Sequence, residues 1–431
     1  MTLMAILVLL FFALLLIGVP VYLTFAVSSI LLVIFSPSLM HTMIAPVFYS
    51  SMDSFPLLAI PFFMYAGDLM AQAGVSRRLV EFANSLVGRV RGHLGAITVI
   101  GCMFFGAVSG SGVATCAAVG GFMIPEMVRA GYPRGYACSL TASASALGIV
   151  IPPSVPFVLY GFLTNTSVAD LFLAGIVPGA LLGIVFLLVN RLTVGRMNIS
   201  PNQSLEGGPE HGSILMRGRR AIWSLFMPLL VLGGIYGGFF TATEAAAVAV
   251  IYSMAVGLFI HRDLAPLDIV KTARFTAVTV GSLGILLVFA SLFTRIMAHL
   301  RIPEKMAEFI LGLSSETWVI LLIINFILII LGMFMDGITA VLLISPILYN
   351  IGVVHLGLDP VHLGVVIVTN LALGLITPPM AMNIFLAGKI SGVPPSEIFK
   401  SIILFLLPGI AVLLFITFVP ETVTMLPKLL R

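Results

Sequence analysis

Charge is the scarcest commodity in this chain. Only nine per cent of its 431 residues are charged, too few to clothe a soluble protein of this length, while 60% are hydrophobic and the mean hydropathy is +1.18. A soluble core cannot hold that much apolar surface, so the solvent is lipid. Cysteine is nearly absent as well. Cys102, Cys116 and Cys138 lie in apolar or small-residue sequence without metal-ligand spacing, which excludes a disulfide framework and a thiolate metal centre. Histidine is sparse: His93, His211, His261 and His299 fall near loops or span ends, His355 and His362 bracket Asp359-Pro360, and no pair has metal spacing on one helix face. No nucleophile elbow, phosphate loop or paired-carboxylate pattern occurs, so the chain does not read as an enzyme and no cofactor is expected. A net charge of +4 is too modest to suggest nucleic acid as a partner.

What is present is a series of apolar stretches of roughly 20 residues, cut by short Gly/Pro or polar breaks. They predict an all-α polytopic membrane protein with about ten full spans and two shorter paired segments. The first run, residues 1–17, lacks a basic leader and a small-residue cleavage site, so it reads as a retained span. Lys and Arg mark cytoplasmic loops. Four clusters (Arg77, Arg78, Arg89 and Arg91; Arg129 and Arg134; Arg191, Arg196, Arg217, Arg219 and Arg220; Arg262, Lys271 and Arg274) share one side only if residues 94–128 leave and return on that side as a re-entrant hairpin. Residues 136–163 then cross outward and 171–189 return. Residues 195–218, the longest polar stretch, read as a cytoplasmic linker. The second half crosses at 223–240, 244–260 and 275–294 and meets its own hairpin, residues 318–350, from the opposite side. Arg295, Arg301 and Lys305 fall outside on this scheme and are partly balanced by Glu304, Glu308 and Glu316.

The segment Ala146-Leu147-Gly148-Ile149-Val150-Ile151-Pro152-Pro153 recurs as Ala372-Leu373-Gly374-Leu375-Ile376-Thr377-Pro378-Pro379, identical at five of eight positions. Gly106 and Pro125 before the first copy match Gly332 and Pro346 before the second, and Asp170 and Pro178-Gly179 after it match Glu397 and Pro408-Gly409. Because the two copies run in opposite directions, the halves form an inverted repeat, each half pairing a hairpin with a span broken at Pro-Pro. Each Pro-Pro removes two consecutive donors and leaves main-chain oxygens in need of a partner.

Hard cations take oxygen ligands. A first sodium site is expected from Ser109 with the carbonyls of Gly148, Ile151 and Pro153. A second, by the repeat, comes from Gly332, Gly374 and Met380 with Thr377 adding a hydroxyl. Candidates for the substrate are Ser111, Ser154, Asp336 and Asn383, with Asn165 and Thr166 weaker. Asp336 is an acid at depth, where function is the default reading and capping of the hairpin's return arm is the plainer one. Half-helix N-termini facing the cavity would attract a carboxylate without a buried arginine. Asp53-Ser54-Phe55-Pro56 and Thr241-Ala242-Thr243-Glu244 read as helix N-caps.

The run Phe55-Pro56-Leu57-Leu58-Ala59-Ile60-Pro61-Phe62-Phe63 with Gly67-Asp68-Leu69-Met70, then Gly106-Ala107-Val108-Ser109-Gly110-Ser111, Ile151-Pro152-Pro153-Ser154, Thr243-Glu244-Ala245-Ala246-Ala247 and Thr377-Pro378-Pro379, resembles the large membrane subunit of tripartite ATP-independent periplasmic (TRAP) transporters. The likeness covers nearly the whole chain. It implies an elevator-type carrier of the bacterial inner membrane, in which a transport domain of hairpins and broken helices slides against a scaffold braced by arm helices near residues 77–91 and 301–313. It also implies sodium as coupling ion, a periplasmic binding protein, a separate small four-helix membrane subunit, and the sodium ligands named above. The cargo would be a small carboxylate: sialic acid, a four-carbon dicarboxylate or a sugar acid. Many relatives have Thr-Pro-Thr-Glu where this chain has Thr241-Ala242-Thr243-Glu244. The division expected is scaffold at 1–93, transport at 94–163, scaffold at 164–300, arm at 301–315, transport at 316–390 and a scaffold span at 391–431. The competing reading is a one-component sodium-coupled divalent-anion carrier.

Overall fold

A computed structural model describes residues 10–11, 13–14, 17–35, 41–87, 92–197, 214–314 and 316–430. The expected first span at 1–17, most of the linker at 195–218, and Arg89 and Arg91 therefore lie largely or wholly outside the described residues. Among the described residues every regular element is helical.

In chain order the helices are α1 (Val21–Phe35), α2 (Ile44–Met52), α3 (Ala59–Gln72), α4 (Val75–Val87), α5 (His93–Ser109), α6 (Gly112–Arg129), α7 (Arg134–Ala146), α8 (Val155–Thr164), α9 (Val168–Val194), α10 (Ile214–Tyr236), α11 (Ala242–Ala255) and α12 (Pro266–His299). There follow α13 (Ile302–Leu313), α14 (Thr317–Phe334), α15 (Gly337–Tyr349), α16 (Pro360–Gly374), α17 (Met382–Ser391), α18 (Pro395–Phe418) and α19 (Glu421–Leu429). Among the described residues seven helices are long and apolar enough to cross a membrane, beside an expectation of about ten full spans for the whole chain. The difference has a physical origin: five further apolar helices, of 10–17 residues, include halves of the broken spans and the first hairpin arm, each too short to cross alone. The second hairpin's arms, Thr317–Phe334 and Gly337–His355, are each long enough by themselves, so only the basic residues argue for a return.

Loop ends sort cleanly between the two ends of the bundle. At one end Arg78 pairs with Asp263 at 2.6 Å, and the Asn190 amide donates to the Gly92 carbonyl at 2.9 Å. At the other, the Tyr160 hydroxyl donates to the Pro360 carbonyl at 2.8 Å and Thr243 donates to the Phe55 carbonyl at 3.2 Å. Following the helices between these ties, Lys389 and Lys400 join the described cytoplasm-marking cations at the first end, while Arg295, Arg301, Lys305 and Lys428 sit at the second. That asymmetry matches the positive-inside rule. The α5/α6 hairpin opens at the basic end and the α14/α15 hairpin at the opposite one.

Two packing groups emerge. Helices α1–α3 and α10–α12 pack together, with the Asp68 carboxylate of α3 accepting from the Thr276 hydroxyl of α12 at 2.6 Å. The hairpins and broken helices form the other group. Helices α9 and α18, placed with the scaffold from sequence, pack chiefly on α5, α7, α8, α16 and each other, and α9 also on α19. Asn190 of α9 accepts from the Tyr136 hydroxyl of α7 at 3.1 Å; Ser139 of α7 donates to the Ile398 carbonyl of α18 at 2.9 Å; and Thr417 of α18 meets Asn325 of α14, which accepts from Asn370 of α16 at 2.6 Å. Buried amides and hydroxyls in apolar surroundings need such partners, and these ones tie α9 and α18 to the broken helices.

The amphipathic α4 buries Val75, Leu79, Val80 and Ala83 and bridges α10 of the first group to α5 of the second. Helix α13 buries Ile302, Ala307 and Ile310, and links α12 to the π-helical turn Asn350–His355 at the end of the second hairpin. The two N-cap readings divide. Thr241 and Glu244 form a full capping box, whereas Ser54 precedes only a 3-10 turn, Phe55–Leu58, and its side chain makes no capping bond.

Candidate functional site

Both broken helices stop where proline removes the donors. Helix α7 tightens into a 3-10 turn, Leu147–Ile149, and the chain resumes as α8 only at Val155; α16 ends at Gly374 and resumes as α17 at Met382. The Pro152-Pro153 and Pro378-Pro379 bonds are both cis. At the first break the last regular bond is that of the Ile151 N–H to the Leu147 carbonyl at 2.9 Å, and Pro152 has no N–H to offer the Gly148 carbonyl four residues back. The Ile149 carbonyl, deprived in the same way by Pro153, accepts the Ser154 hydroxyl at 2.6 Å.

The first hairpin tip closes over this break. Gly110, at φ +61°, makes the turn between α5 and α6 in the left-handed region that glycine tolerates. A side-chain carbon there would lie 2.7 Å from the Pro153 carbonyl oxygen. Gly106 meets Gly148 backbone to backbone: a Cβ on Gly106 would stand 2.7 Å from the Gly148 Cα, and one on Gly148 would stand 2.6 Å from the Thr115 hydroxyl and 2.8 Å from the Ser111 carbonyl oxygen. Ser109 and Thr115 hydroxyls lie 3.1 Å apart, and Thr115 donates to the Ser111 carbonyl at 2.7 Å. Ser109, Gly148 and Pro153 are thus brought together around neutral oxygens, with no charged side chain among them. Ile151 packs instead at the rim, against Gly179. Thr115 was missing from the expected set. Its signal was available: it lies one helical turn beyond Ser111 on the return arm.

The second break repeats the backbone contact and departs in detail. A Cβ on Gly374 would lie 2.5 Å from the Gly332 Cα and 2.9 Å from its carbonyl oxygen. Thr377 donates its hydroxyl to the Leu373 carbonyl at 2.7 Å, leaving lone pairs free, while its N–H occupies the Gly374 carbonyl at 3.0 Å. The Gly374 oxygen is therefore half-satisfied already. Met380 stands at an open edge, 54% exposed, whereas its counterpart in the first half, Ser154, is fully buried.

The halves interlock across the repeat. Gly112, first residue of α6, approaches Leu375 and Asn383 of the second break, and Gly337, first residue of α15, approaches Ile149 and Pro156 of the first. The N-termini of α6 and α15 thereby converge on the two breaks with those of α8 and α17. Helix N-termini carry partial positive charge, so this region favours an anion; the C-terminal ends of α7 and α16 beside it favour a cation.

Ser111 and Asp336 cap the two return arms. Ser111 accepts from the Ala114 N–H at 3.3 Å; Asp336 accepts from the Ile338 N–H at 3.2 Å and also bonds the Thr339 hydroxyl. Capping accounts for both residue types at these positions. Asn383 does not point into the open break: it is fully buried, with its amide donating to Ser145 at 2.9 Å and to the Ala142 carbonyl at 3.3 Å. Asn165 and Thr166 lie at the far end of α8, about 15 Å of helix from the break, in a separate cleft of about 280 Å³ that also includes Asp170, Asp359 and Lys428.

The unequal exposure of the breaks is open to measurement. With all three native thiols buried, a charged maleimide should modify Met380→Cys quickly and leave Ser154→Cys unmodified, read by intact mass of the purified protein. Equal labelling would contradict the arrangement described.

Comparison with known proteins places the chain. Residues 8–422 match the family described as the tripartite ATP-independent periplasmic transporter, DctM component. The C4-dicarboxylate TRAP transporter large permease protein DctM of Pseudomonas aeruginosa is 39% identical over 93% of this chain and 92% of its own length. The sialic acid TRAP transporter large permease protein SiaM of Vibrio cholerae is 32% identical over 96% and 95%, and the isethionate TRAP transporter permease protein DctMQ of Oleidesulfovibrio alaskensis is 37% identical over 95% of this chain and 64% of its own. In fold, the YdaH transporter of Alcanivorax borkumensis is similar at a TM-score of 0.59, with 15% identity over 88% of each chain. This chain belongs to the large-permease (DctM) family of tripartite ATP-independent periplasmic transporters.

Proposed function

We propose that this chain is the large membrane subunit of a sodium-coupled importer of a small organic acid in the bacterial inner membrane. The observation that carries the reading is the interlocking of two oppositely directed hairpins and breaks, with hydroxyl and carbonyl oxygens gathered around Ser109, Gly148 and Pro153 and again around Gly332, Gly374 and Thr377. Sodium binds these two sets, with Ile151 and Met380 adding carbonyls on small shifts of the rims. The carboxylate of the cargo lies between them, drawn by the four helix N-termini, with Ser111, Ser154 and Asp336 as the polar groups nearest the tips.

The hairpins enter the membrane from opposite faces and return. With both broken helices, α9 and α18 they form the moving body, which slides against α1–α3 and α10–α12 while the arms α4 and α13 hold the scaffold to the hairpins. The buried first break beside an exposed second one suits a carrier resting at one end of such a cycle. A periplasmic binding protein delivers the cargo, and a small four-helix membrane subunit widens the scaffold. The relatives' names, which cover C4-dicarboxylate, sialic acid and isethionate, support an organic anion as cargo, and the longer DctMQ relative supports a second permease component.

Thr377→Ala tests the ion assignment. Losing one oxygen from a cation is worth about 1.5–3 kcal/mol on the scale of hydrogen bonds to charged groups, so the half-saturating sodium concentration for uptake should rise about tenfold to a hundredfold, at about 1.4 kcal/mol per decade, while the melting temperature changes little. Unchanged sodium affinity would reject this role for Thr377.

A further inference from the structure

Asn383 sits where the second break, α7 and the first hairpin meet, and its side chain bonds across from one half to the other. Its backbone N–H donates to the Leu375 carbonyl at 3.1 Å, the oxygen that Pro379 leaves without its helical donor. The side-chain amide leaves the second half altogether and donates to Ser145 and Ala142 of α7, in the last turn before the first break. The Cys116 thiol of hairpin arm α6 donates to the Asn383 carbonyl at 3.6 Å. Asn383 is fully buried, its Oδ1 has no partner among the described residues, and Gly112 of the hairpin tip lies against its amide nitrogen. The position equivalent by the repeat holds Phe157, which packs against Gly175 and has no amide to give. Among the described residues an amide tie beside the break is therefore made by Asn383 and not by its counterpart Phe157; α8 and α16 are joined instead at their outer ends, by Tyr160 and the Pro360 carbonyl.

We infer that Asn383 is a positioning residue that couples the two ion sites: its amide makes α17, which follows the second break, carry α7, which precedes the first. Helix α7 runs from Ala142 and Ser145 directly to Gly148, and α17 begins two residues after Met380. A shift of either break on binding an ion thus reaches the other through the Asn383 amide, the tie nearest the breaks; Cys138 of α7 and Ser391 of α17, 3.0 Å apart, join the same two helices farther from them. The inference rests on the sodium reading above.

The test is sodium titration, against choline at constant ionic strength, of the thermal stability and uptake rate of the full chain with its small membrane partner. Two coupled sites allow a Hill coefficient approaching about 2. Asn383→Ala should lower it toward 1 and raise half-saturation, alongside a lower sodium-free melting temperature from the lost buried hydrogen bonds. Ser145→Ala, which removes the oxygen that accepts from Asn383 together with its own bond to the Ala142 carbonyl at 2.8 Å, should lower the Hill coefficient in the same direction, and the double variant should add little to Asn383→Ala. A wild-type Hill coefficient above 1 that both single variants preserve would overturn the coupling and leave the sodium reading intact. Should Asn383→Ala fail to fold, Ser145→Ala decides alone. A wild-type protein indifferent to sodium would overturn both readings.

Discussion

Gly148→Ala and Gly374→Ala are each expected to reduce uptake at least about tenfold. The added methyl at 148 would lie 2.6 Å from the Thr115 hydroxyl and 2.8 Å from the Ser111 carbonyl; at 374 it would lie 2.5 Å from the Gly332 Cα. At 374 the obstacle is backbone, which cannot rotate aside, and at 148 it is the Thr115 hydroxyl and the Ser111 carbonyl, beside the proposed ligand Ser109. Overpacking of this kind costs about 1–3 kcal/mol, occasionally more, and one decade in rate corresponds to about 1.4 kcal/mol. Relief would come from moving a hairpin arm away from its break, and that opens the oxygen set. Gly121→Ala is the matched control, because a Cβ there meets nothing within 4 Å and alanine is the better helix former; uptake should stay within about twofold of the parent. If all three variants transported equally, the close approach of hairpin and break would have no part in function.

Much of this site was legible before the fold was known, and the reason is local. Pro-Pro dictates where donors are missing, glycine marks where backbones touch, and a repeat doubles each signal. Hence Gly106 was matched with Gly332 and Gly148 with Gly374 from sequence, and each hairpin glycine proves to contact its own break. The less legible features depend on direction in space. Asn383 looked like a ligand because it follows a break, yet α17 turns its amide inward onto α7. Asp336 looked like a depth-placed acid, and its bonds are those of a helix cap. The neighbours of α9 and α18 were illegible for a related reason: a largely apolar span of 24 or 27 residues does not record which helices it faces, and Asn190 and Thr417 were the hints at buried partners.

The remaining large effect concerns the driving force. Bringing a carboxylate into a region without a buried arginine needs compensation, which the helix N-termini supply in part and a bound cation completes. If sodium occupies the two oxygen sets, cargo affinity and sodium affinity are reciprocal, since each ligand stabilises the geometry the other requires. Uptake should then vanish, not merely slow, when the gradient is removed, because nothing in the chain suggests another energy source such as a phosphate loop. Screening the cognate binding protein by thermal shift against sialic acid, four-carbon dicarboxylates and sugar acids identifies the cargo to use.

With that cargo, the decisive measurement is uptake into proteoliposomes holding this chain and its small partner, with the binding protein outside. Accumulation is predicted under an inward sodium gradient and none with choline in its place or with the binding protein omitted; equal uptake in the absence of sodium would contradict the account.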